Sequence, residues 1–383
     1  MSRILSVPEE RELGGLDRAR LKRRLVELCG IAAPSRREGP VRDYLYAFWR
    51  EREGLGLSWR EAPAASVPEG GSVPNILLSI QGKGEPILLC AHMDTVPVDA
   101  QYVRVLEKDG VLRSDGKTIL GADDRSGIAL ALEMIDLFLA AGGRSLEVLF
   151  TVQEELGCLG SRNHGFPELR STQAYCLDGE NPPGTIIARA PGKEQYYCEV
   201  RGRSAHAALE PEAGRNAIRH GAALLLDFPQ GQVDRDTTAN LGIIQGGGQT
   251  NIVPDRCRIS GEIRSFSEDG FARAKERIDA ACRRMNKTGE GYRVDIRWDK
   301  TYSGYAVSPE EAIVRRFLRG CEKRKIRGEI LSSPGGGDGN NLNSQGIRSV
   351  VFGSGMHNIH SPDEYLILEE FFTAAELLRT VLE

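Results

Sequence analysis

No two of the eight cysteines in this 383-residue chain form a C-x-x-C pair, and their positions follow no framework spacing. That argues against a disulfide-stapled secreted scaffold and makes the cytoplasm the expected compartment. Cys90 and Cys176 each sit inside an apolar run, so they are expected to be small core residues rather than catalytic thiols. Long hydrophobic runs are missing too. The longest apolar stretch, IALALEMIDLFLAA from Ile128, is interrupted by Glu133 and Asp136 and is too short to cross a bilayer, so a core helix is expected. The opening segment MSRILSVPEERELGG lacks the apolar centre of a secretory signal. Charge of one sign forms no block: 50 basic and 54 acidic residues are mixed along the chain, with a formal net charge of -4. Neither nucleic acid nor an acidic membrane surface is indicated as a partner. No G-x-S-x-G elbow and no internal repeat are present, which argues against a serine hydrolase and a solenoid.

What is present is an α/β pattern long enough for two domains. Helical spacing at 16–29 and 40–52 leads into the strand signals NILLSI and PILLCA. A helix after Asp123, between PILLCA and LEVLFTV, implies a mostly parallel sheet with helices on both faces. From about residue 191 the character changes to strands around two helices, RNAIRHGAALLLDF and FARAKERIDAACRRM, an α+β pattern that can stand alone. The α/β pattern returns after about residue 301. The expected organisation is therefore a discontinuous catalytic domain, 1–190 with 301–383, interrupted by an inserted lid or dimerisation domain, 191–300.

Carboxylates and histidines follow the apolar runs. His92 and Asp94 come after PILLCA, Glu154 and Glu155 after LEVLFTVQ, Asp178 after AYCL, and His360 after SVVFGSGMHNI, while Asp123 precedes a helical pattern. In open α/β sheets ligands bind outside the carboxyl ends of the strands, so residues there converge in space. Histidine and carboxylate donors without thiolate suit zinc, cobalt or manganese. Five ligands exceed the needs of one open catalytic ion but satisfy two that share a carboxylate. The simplest assignment gives one ion His92 and Asp178, the other Glu155 and His360, with Asp123 bridging; a hydroxide between the ions would attack a carbonyl.

Glu154 and Glu155 are adjacent. On an extended backbone they would point to opposite sides, which divides their labour into one metal ligand and one general base. Asp94, two residues beyond His92, is placed to orient the imidazole by accepting its second N–H.

HMDTV at 92–96, GADDRSG at 121–127, EELG at 154–157, LDG at 177–179 and IHSPDE at 359–364 resemble the five metal-site segments of the dizinc aminopeptidase, carboxypeptidase and aminoacylase family, most closely its peptidase T branch. The resemblance implies His92, Asp123, Glu155, Asp178 and His360 as ligands of two zinc ions, Glu154 as general base and Asp94 as supporting residue. It also implies a cis peptide bond between Asp123 and Asp124. Outside the metal centre, GRSAHAA resembles the segment whose histidine, here His206, helps bind the carbonyl oxygen and in dimeric relatives comes from the partner subunit. TNIVPD and EIRS make Asn251 and Arg264 candidate substrate contacts, and GGGDGNN resembles a substrate loop in which Gly336 and Gly337 allow close backbone approach.

The expected function is hydrolysis of short peptides, releasing the amino-terminal residue of tripeptides, with Glu154 taking the proton of the metal-bridged nucleophile. The rival on the same centre is an N-acyl amino acid deacylase or a carboxypeptidase. A rival of another class is a binding protein that has kept the fold and lost catalysis. A homodimer through the inserted domain is a further expectation.

Overall fold

Uninterrupted burial of Ile76–Ile80 and of the carboxyl-terminal half of Lys83–His92 marks strands enclosed within a sheet. These strands belong to a computed structural model that describes residues 15–383 except 99, 143, 289 and 290; the opening segment before residue 15, read above for its lack of a signal, lies outside the described residues. Among the described residues the sheet has nine strands. Its order is 57–61, 76–80, 144–151, 83–92, 173–179, 348–353, 185–190 and 305–306, with 329–332 added beside 185–190. The four central strands, from 144–151 to 348–353, run parallel, and the flanking pairs 57–61/76–80 and 348–353/185–190 are antiparallel. The mixed sheet is thus mostly parallel where its strand ends carry the acids and histidines.

Helix Ala122–Ala141 packs against the strands 83–92 and 173–179. It is the apolar stretch identified in the sequence, and nearly all of its residues through Phe138 are buried. Helix Arg18–Cys29, started by the Asp17 carboxylate accepting the Arg20 N–H at 2.9 Å, packs on it in turn. Leu77, Leu88, Cys90, Leu149, Ala174 and Cys176 form a separate core cluster with Phe166, Leu342 and Ile347. All eight cysteines are free and buried.

A small sheet absent from the sequence reading has the order 356–357, 365–367, 111–113, 106–108. Strand Tyr365–Ile367 pairs antiparallel with Val111–Arg113, joining the late segment that carries His360 to a hairpin just ahead of Asp123.

The chain divides into two compact units: one runs through Arg189 and resumes as Ala306–Ser333 and Gly337–Glu383, the other is Ala190–Tyr305 with Pro334–Gly336. The second unit extends to Tyr305 because strand Arg293–Tyr302 runs on past residue 300. It holds a five-stranded antiparallel sheet in the order 231–234, 237–246, 256–265, 192–201, 293–302. Helices Ala217–Leu225 and Glu268–Lys287 contribute Leu224, Phe271, Ile278 and Cys282 to a core with Tyr196, Cys198, Ile259 and Ile263. No helix among the described residues is long and apolar enough to cross a membrane.

Candidate metal centre

His92 is the last residue of its strand, and Asp178 lies one residue from the end of the neighbouring parallel strand. Cys90 stands opposite Cys176, so two residues further on His92 and Asp178 share a side of the sheet. Their side chains meet with Nε2 3.7 Å from Asp178 Oδ1. Asp123 enters from the start of helix Ala122–Ala141, after Gly121 in the left-handed region at φ 74°. The Asp123–Asp124 peptide bond is cis. The neighbouring acid turns the other way: Asp124 accepts the N–H of Gly127 at 2.9 Å and of His92 at 3.2 Å. A Cβ at Gly127 would lie 2.3 Å from the Asp124 carboxylate, which is why GADDRSG needs a glycine there.

The two oxygens of Asp123 face different histidines. Oδ1 lies 2.8 Å from His92 Nε2 and Oδ2 3.0 Å from His360 Nε2, while Glu155 Oε1 lies 3.0 Å from the same His360 nitrogen. Two groups result, His92 with Asp123 and Asp178, and Asp123 with Glu155 and His360; within each, the candidate ligand atoms lie within 4.8 Å of one another. His360, in a left-handed conformation at φ 62°, is carried by the segment between the paired strands Met356–His357 and Tyr365–Ile367.

Glu154 and Glu155 are not on extended backbone. The strand ends at Thr151, and a turn with Gln153 and Cys158 in the left-handed region presents both acids, so their separation comes from the turn and not from strand alternation. Glu155 joins His360, whereas Glu154 joins Cys158 and Asp338. Asp94 also differs from its expected contact. The second ring nitrogen of His92 meets the Asp94 backbone carbonyl at 3.0 Å, and the carboxylate stands off at 3.6 Å. That carboxylate instead accepts the N–H groups of Glu154 and Glu155 at 3.0 and 3.2 Å and the Ser35 hydroxyl at 2.6 Å. The chain turns after His92, so residue 94 no longer shares a face with residue 92 as it would in a strand.

The electrostatics are those of crowded buried acids. Burial, with the charge of Asp123, pushes the Asp178 carboxyl up to about 7, and burial raises Glu154 well above its ordinary value. Hydrogen bonds that its imidazole donates to Asp123 and Glu155 raise His360 to about 11. For His92 burial acts the other way, but hydrogen bonds to Asp123, Asp178 and Asp94 outweigh it and hold the imidazole well above its ordinary value. Several buried carboxylates around two imidazoles are what bound divalent cations neutralise. The donors fit such ions: each group offers one imidazole Nε2 and carboxylate oxygens, and the His92 ring is oriented through its other nitrogen.

Residues without an assigned role in the sequence reading complete the centre. Glu364, 1% exposed, accepts the N–H of Gly121 at 2.7 Å and of Asp123 at 3.2 Å, so one end of the IHSPDE segment fixes the turn of GADDRSG. Arg125, fully buried, donates to the Met93 carbonyl at 2.7 Å. Helix Asp338–Ser344 replaces the second half of the expected loop GGGDGNN; Gly337 is its N-cap, and a Cβ there would lie 3.3 Å from Glu154 Oε1 and 3.5 Å from Asp178 Oδ2. The closeness to Glu154 accounts for glycine at 337, while Gly336 falls in the other unit.

The remaining candidates belong to the inserted unit. His206 is exposed; its Nδ1 accepts the N–H groups of Ala208 and Leu209, each at 3.2 Å, and its backbone bridges to Ile252. The Asn251 carbonyl accepts the Ala207 N–H at 2.9 Å, which brings the two segments together. Arg264 pairs with Glu262 at 2.7 Å. Of the histidines given no role, His357 pairs with Glu370 at 2.8 Å, His164 accepts the Phe166 N–H, and His220 stacks on Tyr292.

Residues 191–290 match the family model described as a peptidase dimerisation domain, and residues 75–186 match the model of Peptidase family M28. Among solved structures, a tripeptidase from Staphylococcus aureus is 29% identical, with a TM-score of 0.87 over 96% of this chain and 98% of its own. Aminopeptidase PepT from Bacillus cereus is also 29% identical, with a TM-score of 0.82 over 96% and 98%. An acetylornithine deacetylase from Myxococcus xanthus is 28% identical over 382 residues, 94% of this chain and 95% of its own length. Fold and relatives together define a metallopeptidase. The chain is similar to peptidases of the M20 family, and among them to the peptidase T branch.

Proposed function

We propose that the protein is an aminopeptidase of short peptides that releases the amino-terminal residue of tripeptides. The observation that carries this reading is Asp123, whose two carboxylate oxygens lie 2.8 and 3.0 Å from His92 and His360 and so suit a bridge between two ions. His92 and Asp178 would hold one ion, and Glu155 and His360 the other. Zinc is the expected metal for such a donor set, with cobalt or manganese able to replace it. The bound pair supplies Lewis acidity to polarise the scissile carbonyl and to ease deprotonation of the attacking water.

The protein's own part is positioning and proton transfer. Glu154 belongs to neither histidine-containing group, and burial raises its carboxyl, so it can take the water's proton, hold it and deliver it to the leaving amine. Asp94 fixes the backbone that presents it. His206, Asn251 and Arg264 are read as substrate contacts, with the inserted unit as the surface of a homodimer; the match to a peptidase dimerisation domain supports that reading. Eight unpaired cysteines support a cytoplasmic location.

Deacylation is the second reading, favoured by the similarity to an acetylornithine deacetylase. Hydrolysis of a mixed panel of free tripeptides, dipeptides and N-acetyl amino acids by metal-loaded protein, followed by mass spectrometry, separates the two. Loss of the amino-terminal residue from tripeptides is expected; deacetylation with intact tripeptides would replace the proposal by the second reading, and no turnover of any substrate would favour a binding role.

A further inference from the structure

The turn that presents Glu154 carries a thiol back to it. Cys158 adopts φ 57° and ψ 40°, its N–H donates to the Glu154 carbonyl at 2.6 Å, and its Sγ lies 3.2 Å from Glu154 Oε1. Asp338 approaches from the first turn of helix Asp338–Ser344. One oxygen from each acid and the sulfur all lie within 4.8 Å of one another.

The donors that reach these carboxylates are neutral: the Cys158 thiol on Glu154, and on Asp338 the Ser161 and Thr151 hydroxyls and, at 3.8 Å, the Cys90 thiol, the last two on Oδ2. Asp338 is 5% exposed, yet its Oδ1 has no hydrogen-bond partner among the described residues. An unused carboxylate oxygen at that depth is costly, and a cation would satisfy it.

We propose that Glu154, Cys158 and Asp338 form a third metal site, distinct from the two groups that share Asp123, and that it takes a soft divalent ion, zinc or cadmium. Sulfur beside two carboxylate oxygens selects such ions over magnesium or manganese. On binding, the Cys158 S–H bond breaks, a sulfur–metal bond forms and the proton goes to solvent; nothing is oxidised or reduced. The consequence for turnover rests on Glu154 being the general base: an ion that occupies its carboxylate removes the proton acceptor, so zinc beyond the first two equivalents inhibits.

The test uses full-length protein loaded with manganese and titrated with cadmium, reading total metal per chain, proton release and the ultraviolet cadmium–thiolate absorption. Three ions per chain are expected, with the thiolate band growing alongside the last, whereas magnesium produces neither. Cys158→Ser, nearly isosteric, should abolish the band and weaken the third equivalent at least about tenfold, the loss that even an outer-shell partner causes. Asp338→Asn should weaken it with the band retained at high cadmium. A band unchanged in Cys158→Ser, or metal that stops at two per chain, overturns the site. Turnover measured in parallel separates the two ideas: a third ion and a thiolate band with undiminished turnover keep the site and remove Glu154 as base.

Discussion

The Asp94 carboxylate holds the backbone of Glu154: Oδ1 accepts its N–H at 3.0 Å, while Oδ2 takes the next N–H along the chain at 3.2 Å. One buried side chain thereby sets the direction of both acids in the turn. Asp94→Asn keeps the volume but turns one acceptor into a donor facing an N–H. Metal affinity should fall about 10- to 100-fold, as is usual when a residue behind the ligands is changed, and kcat should fall with it. Calorimetric metal titration checks this; unchanged affinity and rate would mean that the turn is held without Asp94.

Glu154→Ala removes the proposed proton acceptor without touching either histidine-containing group. Turnover should drop by about 10²- to 10⁴-fold with two metal ions still bound. A variant that keeps most of its kcat at full metal content would remove the assignment.

The metal-free protein should lose stability as pH rises from about 5 to 9, because Asp178, Glu364 and His360 all hold protons more tightly folded than unfolded. The Asp178 and Glu364 carboxyls, raised mainly by burial to about 7 from 3.8 and 4.5, keep protons that the unfolded chain has released, so stability falls as pH rises through that window. His360, raised from 6.5 to about 11 by Asp123 and Glu155, stabilises fully below 6.5 and loses that contribution as pH rises toward 11. Divalent metal takes the place of the protons on Asp178 and His360 and should flatten the trend. Thermal unfolding of chelator-treated and metal-loaded protein across this range is the measurement; a rising midpoint without metal contradicts the electrostatic account.

Glu133 is fully buried on helix Ala122–Ala141 and accepts from Arg20 Nε and Arg24 Nη1, each at 2.9 Å. It ties helix Arg18–Cys29 to the helix whose first turn carries Asp123. Glu133→Ala leaves two guanidinium groups without this partner and should cost about 3 to 5 kcal/mol, the usual result of breaking a buried pair from one side. Chemical denaturation reads this directly, and a loss below about 1 kcal/mol would show that Asp136, which also pairs with both arginines, compensates.

Where strands end, and which acids and histidines stand there, is written locally in the chain. Apolar runs such as PILLCA and AYCL stop where the chain leaves the sheet, and that signal is written within a few neighbouring residues. The interruption by a second unit was legible for the same reason, because the α/β pattern stops and later resumes. The tertiary structure alone decided how the polar groups are shared out. Asp94 reaches Glu154 across 60 positions, Thr151 reaches Asp338 across 187, and the Asp123 N–H finds Glu364 across 241. No local periodicity encodes such pairings. They follow from which strands become neighbours, from a small sheet that ties the His360 segment to the hairpin before Asp123, and from the need of each buried polar atom for a partner near where its strand ends.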